Sequence, residues 1–373
     1  MPDSPLSGAD AARDTTRSTT PHRNRRRRTD RGGARADRPR DRRQPGGPAF
    51  GAIDLGTNNC RLLVAHPAKG ARGIRVVDSY SDVVRLGEGL ATTGRLSDRA
   101  MDATVAALHV CKRKMERRDV KAFRAVATQA CRQAENGAEF IARVREEVGI
   151  RLEVISPRVE ARLSVMGCLT LADPKKQVAL VVDIGGGSTE LSWLDVKRLK
   201  GAQGRGGKPP INAWASLPVG VATLSEMHPE HGDRVAWYSA MKDHVRQAIA
   251  EQGCGNNYRQ IFRAGKGHII GTSGTITSLA GVHLKLPYYQ RKRVDGIWMP
   301  TADAVNVARD LASRDFAGRA SVPSIGADRA QLLVAGCAIM DVLCEMWPGE
   351  RIRVADRGLR EGILLGLMNR AAS

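Results

Sequence analysis

Apolar side chains are sparse along residues 1–47 and become regular only from Phe50 onward. Ala52, Ile53 and Leu55 run into a Gly56-Thr57-Asn58 turn, and Cys60 to Val64 reads as the returning strand of a hairpin. Ser97 stands as N-cap to a predicted helix with Met101, Val105, Leu108 and Met115 on one face. Val120 to Thr128 reads as a strand, residues 138–148 as a helix burying Phe140, Ile141, Val144 and Val148, and Leu152 to Ile155 as a short strand. Pro157 introduces a helix carrying Glu160, Leu163 and Val165. Strand and helix patterns alternate, which predicts α/β layering.

The pattern then starts over. Val178 to Val182 is a nearly continuous apolar run, as in a strand covered on both faces. It leads through Asp183-Ile184-Gly185-Gly186-Gly187-Ser188-Thr189-Glu190 to Leu191, Trp193 and Leu194. Residues 201–208, rich in Gly, Lys and Arg, are expected at the tip of a solvated hairpin. A helix around 236–250, a turn at Gly271 to Thr275 after His268-Ile269-Ile270, a long apolar helix from Arg329 to Met346 and a short strand at Ile352–Val354 complete the second half. The segment around Asp54 and the segment around Asp183 share one plan: strand, Asp, apolar residue, Gly-rich turn, returning strand. Such an internal repeat predicts a duplicated α/β unit with the two turns facing across a cleft. The expected domains are 48–172 and 173–373, with the last helix returning to the first domain.

Composition narrows the chemistry. The 373 residues are enough for two ordinary cores, and 42% hydrophobic content is that of a globular chain. Aromatics, at 4%, are too few for a stacking platform for single-stranded nucleic acid. The formal net charge of +20 indicates an anionic partner, either nucleic acid or inorganic polyphosphate. Residues 1–47 hold thirteen Arg and six Asp and are expected to be an unstructured tail, or else an arm that contacts polyanions. Seven scattered cysteines without a CxxC, no apolar N-terminal stretch and no 18-residue apolar span predict a cytoplasmic protein with no membrane contact.

Glycines at 185–187 let the chain turn sharply and approach a ligand, and successive backbone N–H groups there form an anion-binding concavity, to which Ser188 and Thr189 can add hydroxyls. A tight hairpin turn needing glycine is the plainer reading. The turn is neither a GxxxxGK[ST] loop nor a dinucleotide fingerprint. Asp54 and Asp183, at the ends of apolar strands, suit Mg²⁺, with Mn²⁺ in its place as an option, or else cap their turns. Glu190 returns toward the same region, and a carboxylate such as Glu160 can orient or deprotonate a water, although on sequence alone Glu160 also fits a solvated helix position. Gly274 and Thr275, at a helix start, form a second phosphate-contact candidate. Arg132 and Arg158 are candidate phosphate clamps or ordinary surface arginines. His228 and His231 lack partners for zinc, and Cys131 lacks the CxxxxxR loop of thiolate phosphatases.

From Phe50 to Gly366 the chain resembles the exopolyphosphatase and guanosine pentaphosphate phosphohydrolase (Ppx/GppA) family. The resemblance is carried by Ala52 to Asn58, Val126-Ala127-Thr128 with Arg132, Glu160-Ala161-Arg162, Val182 to Leu191, Gly271 to Thr275 and Arg357 to Gly362. It implies the actin-like ATPase (ribonuclease H-like) duplicated fold in a short, two-domain form, with Glu160 as catalytic base. It further implies Asp183 and Glu190 around Mg²⁺ and water, Gly185 to Ser188 as phosphate cradle, Arg132 as a phosphate contact, and Asp54, Thr57 and Asn58 in the facing loop. Many members carry Glu where this chain has Gln129 and Val159, which predicts less negative charge at the cleft. The implied activity is Mg²⁺-dependent release of terminal phosphate from polyphosphate, with guanosine pentaphosphate as the alternative substrate. A small-molecule kinase on the same fold, and a non-catalytic binder of polyphosphate or nucleic acid, are the rival readings; a homodimer is compatible with either.

Overall fold

A computed structural model describes residues 47–70, 73–202 and 209–372. The Arg-rich tail thus lies outside the described residues, apart from Gly47, as do residues 203–208 of the expected hairpin tip. Val196–Ala202, just before it, is helical.

The first sheet contains β1 (Ala49–Leu55), β2 (Asn59–Pro67), β3 (Ile74–Val83), β4 (Val120–Ala127) and β5 (Leu152–Val154), in the order β3-β2-β1-β4-β5. The second contains β6 (Val178–Ile184), β7 (Thr189–Asp195), β8 (Ile211–Leu217), β9 (Gly267–Thr272), β10 (Trp298–Pro300) and β11 (Arg351–Ala355), in the order β10-β11-β9-β6-β7-β8. Read from β8, the second sheet repeats the first: three antiparallel strands, then two parallel neighbours, with β10 added antiparallel at the edge. The repeat extends to register. Asp54 pairs with Arg61 across β1–β2, and Asp183 pairs with Glu190 across β6–β7.

Each sheet is covered on both faces. Val105, Leu108 and Cys111 of helix Asp98–Arg117 and Phe140 and Val144 of helix Gly137–Val148 pack on one face of the first sheet. Its other face, with Phe50, Ala52, Leu63 and Val126, packs against Leu163 of helix Pro157–Cys168 and against Leu359, Ile363, Leu364 and Met368 of helix Leu359–Ala372. The second sheet buries Leu180, Val182, Leu191 and Trp193 beneath helices Arg234–Gln252 and Ala327–Met346. Its opposite face takes Val165 and Cys168 of the Pro157–Cys168 helix. That one helix therefore serves both sheets. It crosses the Leu359–Ala372 helix so closely that a Cβ on Gly362 would lie 2.0 Å from the Leu163 carbonyl oxygen.

The strand β3 is absent from the sequence reading. It is an edge strand with most of its side chains at least partly exposed, so Ile74 to Val83 carries no clean two-residue alternation.

Candidate active site

The Asp54 and Asp183 turns line one cavity of about 340 Å³ between the two sheets, together with Gly56, Thr57, Asn58, Glu160, Gly185, Gly186, Gly187, Ser188, Glu190, Gly274 and Thr275. Local sequence positions each group. Ser156 caps its helix by accepting from the Val159 N–H, and Pro157 occupies the first helical turn, so that Glu160 enters the cavity from that turn at 8% exposure. The β6–β7 turn is closed by the Gly185 N–H donating to the Ser188 carbonyl at 2.8 Å. Its glycines answer to proximity: a Cβ on Gly187 would lie 2.8 Å from both Thr57 Oγ1 and Gln129 Cγ.

Four carboxylates meet here in a buried setting. Burial raises the pKa of Asp54, opposed by Arg61 and Arg360. Burial also raises that of Asp183, opposed by a hydrogen bond from the Ser164 hydroxyl and reinforced by Asp54. Glu160 is pushed well up by burial and by Glu190, against the pull of Arg132. Glu190 reaches about 7 through burial and Asp183, although the hydroxyls of Ser188 and Ser216 and the charge of Arg132 act against this. Ser216 Oγ donates to Glu190 Oε1 at 2.9 Å. Mutually repelling oxygen donors of this kind fit a hard divalent cation. Among the described residues no three His, Cys, Asp or Glu side chains form a ready-made metal group. Two carboxylates suffice for an ion that keeps waters and binds substrate phosphates.

Several expected contacts sit elsewhere. Thr189 is fully buried and its hydroxyl donates to the Val219 carbonyl at 2.7 Å, because alternation along β7 turns it away from Glu190. Arg132 does not line the cavity. It donates to the Ile155 carbonyl and to Gln129 Oε1, both at 2.5 Å, and reaches Glu160 Oε2 at 3.4 Å, which makes it a buttress of the cavity wall. Arg158 is exposed on its helix. Only one of the two departures from the family pattern touches the cavity. Gln129 lines it, whereas Val159 packs against the apolar cluster beneath the first sheet. The Cys131 thiol is buried and pushed up to about 12, which suits a structural thiol. His228 sits edge-on to His244, with ring centroids 5.3 Å apart.

The sequence reading missed Arg61, Ser278, Asp328 and Arg329, all of which line the cavity, as does Ser273 of the expected Gly271–Thr275 turn. Arg61 was recoverable from hairpin register, since the residue opposite Asp54 shares its face. Arg329 lies 5.2 Å over the Tyr289 ring and donates to Ser278 Oγ at 3.1 Å, a long-range placement with no local signal. Ser273 combines φ 93° and ψ 178° with a buried hydroxyl that has no hydrogen-bond partner.

Comparison with known proteins identifies this arrangement. Residues 63–371 match the model of the Ppx/GppA phosphatase family. The crystal structure of the Aquifex aeolicus member of that family has 25% sequence identity to this chain, a TM-score of 0.68, and coverage of 87% of this chain and 99% of its own. An exopolyphosphatase-like protein is similar at 28% identity, TM-score 0.72, with 87% and 99% coverage. An exopolyphosphatase from Cytophaga hutchinsonii shares the fold at 23% identity, TM-score 0.72, with 86% and 98% coverage. Membership in a family of phosphatases supports phosphoanhydride hydrolysis as the general activity. With its two facing α/β sheets and a cleft lined by paired aspartate turns, the chain belongs to the Ppx/GppA phosphatase family.

Proposed function

We propose that this protein is an exopolyphosphatase, hydrolysing the terminal phosphoanhydride of inorganic polyphosphate. The observation that carries the reading is Glu160. A buried carboxylate whose pKa is pushed well up, and whose basicity is thereby raised, opens into the same cavity as the glycine turn. Glu160 accepts a proton from the attacking water as the new P–O bond forms. The P–O–P bridge breaks, and the shortened chain leaves with the bridging oxygen. Backbone N–H groups of Gly186 to Ser188, with those of Gly274 and Thr275 opposite, cradle the terminal phosphate, while the Gly185 N–H holds the turn closed. Glu190 holds the water in line, and Arg132 fixes Glu160 and Gln129 without touching the substrate. Asp54 and Asp183 are the residues to hold Mg²⁺ or Mn²⁺, with Glu190 nearby; when bound, the ion neutralises charge on the transferring phosphate. The repeated strand order supports the actin-like, ribonuclease H-like duplicated fold, with lobes 48–172 and 173–373. The 28%-identical relative described as exopolyphosphatase-like supports the substrate class.

The test is phosphate release from polyphosphate and from guanosine pentaphosphate, each with and without Mg²⁺. Faster release from polyphosphate, dependent on Mg²⁺, is expected. Preference for guanosine pentaphosphate would replace the substrate, and transfer only to an added acceptor from ATP would overturn hydrolysis altogether. Glu160→Gln is expected to lower the rate by roughly 10²–10⁴-fold while polyphosphate binding persists.

A further inference from the structure

At the edge of the second sheet, on the β10–β11 pair, lies a group of cations that the cleft chemistry does not use. Arg351 and Arg353 alternate along β11, so both project from one face, while Ile352 and Val354 enter the core on the other. Trp298 of β10 pairs with Arg353 in register. The Arg351 and Arg353 guanidinium groups lie 4.3 and 4.8 Å from the Trp298 ring centroid, and His268 approaches the same ring edge-on at 5.4 Å.

What distinguishes this group from surface arginine packing is that neither guanidinium has a carboxylate in direct contact. Among the described residues neither Arg351 nor Arg353 forms an ion pair, and the Arg353 Nε–H is buried without a hydrogen-bond partner. The acid nearby, Asp295, is engaged by Arg357 at 2.6 Å. Burial and Arg357, with Arg351, lower the pKa of Arg353 against the opposing pull of Asp295 and Asp173. A buried guanidinium N–H with no acceptor is costly to leave unmade. An anion at this edge would meet the outer guanidinium N–H groups and relieve the crowding of Arg351, Arg353 and Arg357.

We propose that Arg351, Arg353 and Trp298 form a second anion site, outside the cleft, that holds phosphate groups of a long polyphosphate chain. Two forked guanidinium groups on one rigid ring match the oxygens of consecutive phosphates. Nucleic acid fits less well, because the one aromatic ring here is already engaged by both arginines and is not free to stack on a base. The site rests on the polyphosphate reading for its ligand, and it adds a grip that depends on chain length.

The experiment uses the full chain with Arg351→Ala and Arg353→Ala combined. Affinity for long-chain polyphosphate is measured without divalent cation, and kcat/KM for tripolyphosphate is measured with Mg²⁺. Long-chain affinity is expected to fall by about tenfold, as two charge-assisted contacts are lost, with tripolyphosphate hydrolysis unchanged. The Arg351→Lys, Arg353→Lys pair should recover only part of the affinity, since lysine keeps the charge and loses the fork. Unchanged long-chain affinity would overturn the site. An equal loss on tripolyphosphate, or oligothymidylate binding at the same strength with the same dependence on these arginines, would overturn it too. Failure of the wild type to hydrolyse either phosphate substrate would instead count against the exopolyphosphatase reading, independently of these variants.

Discussion

The two hairpins that face each other across the cleft are repeats of one design, yet they differ at a matched position. Opposite Asp54 stands Arg61; opposite Asp183 stands Glu190. In the first hairpin the aspartate gains a cationic neighbour, and in the second a like charge. The glycines differ as well. A Cβ on Gly56 would meet nothing closer than the Asn59 carbonyl oxygen at 3.6 Å, while one on Gly187 would strike Thr57 and Gln129. The shared strand plan thus gives matched geometry, while the cross-strand partner sets one aspartate beside a cation and the other beside a second carboxylate, in a turn that packs against its counterpart.

The most direct way to break this contrast is at the matched position. Glu190→Gln should lower phosphate release by roughly 10²–10⁴-fold. It should also raise thermal stability in metal-free buffer at pH 8. A carboxylate whose folded pKa is raised from 4.5 to about 7 weakens the fold increasingly as pH rises through that window, by about 3 kcal/mol when fully ionised. Arg61→Gln should do the opposite and lower stability, since Asp54 then loses its neighbour; melts of both variants side by side test the opposed signs.

A second contrast lies in acid sensitivity. Burial holds His268, in β9 of the second sheet, near pKa 4 rather than 6.5, and its Nε2 accepts from the Asp173 N–H at 3.0 Å. Its contribution is complete above about pH 6.5 and is lost as pH falls through 4, about 3 kcal/mol in all. Denaturant melts across that range should show a shallower decline in His268→Gln than in the wild type, and equal slopes would remove the histidine as the cause. Glycine substitution refines the picture further. Gly187→Ala should destabilise by about 1–3 kcal/mol through overpacking and slow hydrolysis, whereas Gly56→Ala should stay within about 0.5 kcal/mol. The smallest effect is a gain: Ser273→Gly should raise stability by about 1 kcal/mol, because φ 93° with ψ 178° is glycine territory. A melting temperature no higher than wild type would show that the serine is unstrained.

Much of this was legible from the chain itself, for definable reasons. Asp54, Asp183 and the Gly185–Gly187 turn announce themselves because strand ends and glycine runs are local features, whereas Glu160 stood out only through the family resemblance, since alone it also fits a solvated helix position. The N-cap Ser97 and its helix face were equally local, and Ser97 does accept from the Ala100 N–H. Thr189 misled because string similarity ignores which face a strand residue takes. Arg132 misled because an arginine near a site can serve the wall as well as the ligand. Arg329 and Ser278 could not be placed, since they reach the cavity only through packing between distant helices. Val159 shows the same limit in reverse: adjacent to Glu160 in sequence, it belongs to the core beneath the first sheet.

The Leu359–Ala372 helix has a consequence for how the molecule is made. It covers Phe50, Ala52, Leu63 and Val126, which leave the ribosome more than two hundred residues earlier. Until translation has passed through the whole second sheet, one face of the first sheet has only the Pro157–Cys168 helix to shield it. The nascent chain therefore carries an open apolar surface for most of its synthesis, a natural point of attachment for chaperones and of misassembly without them.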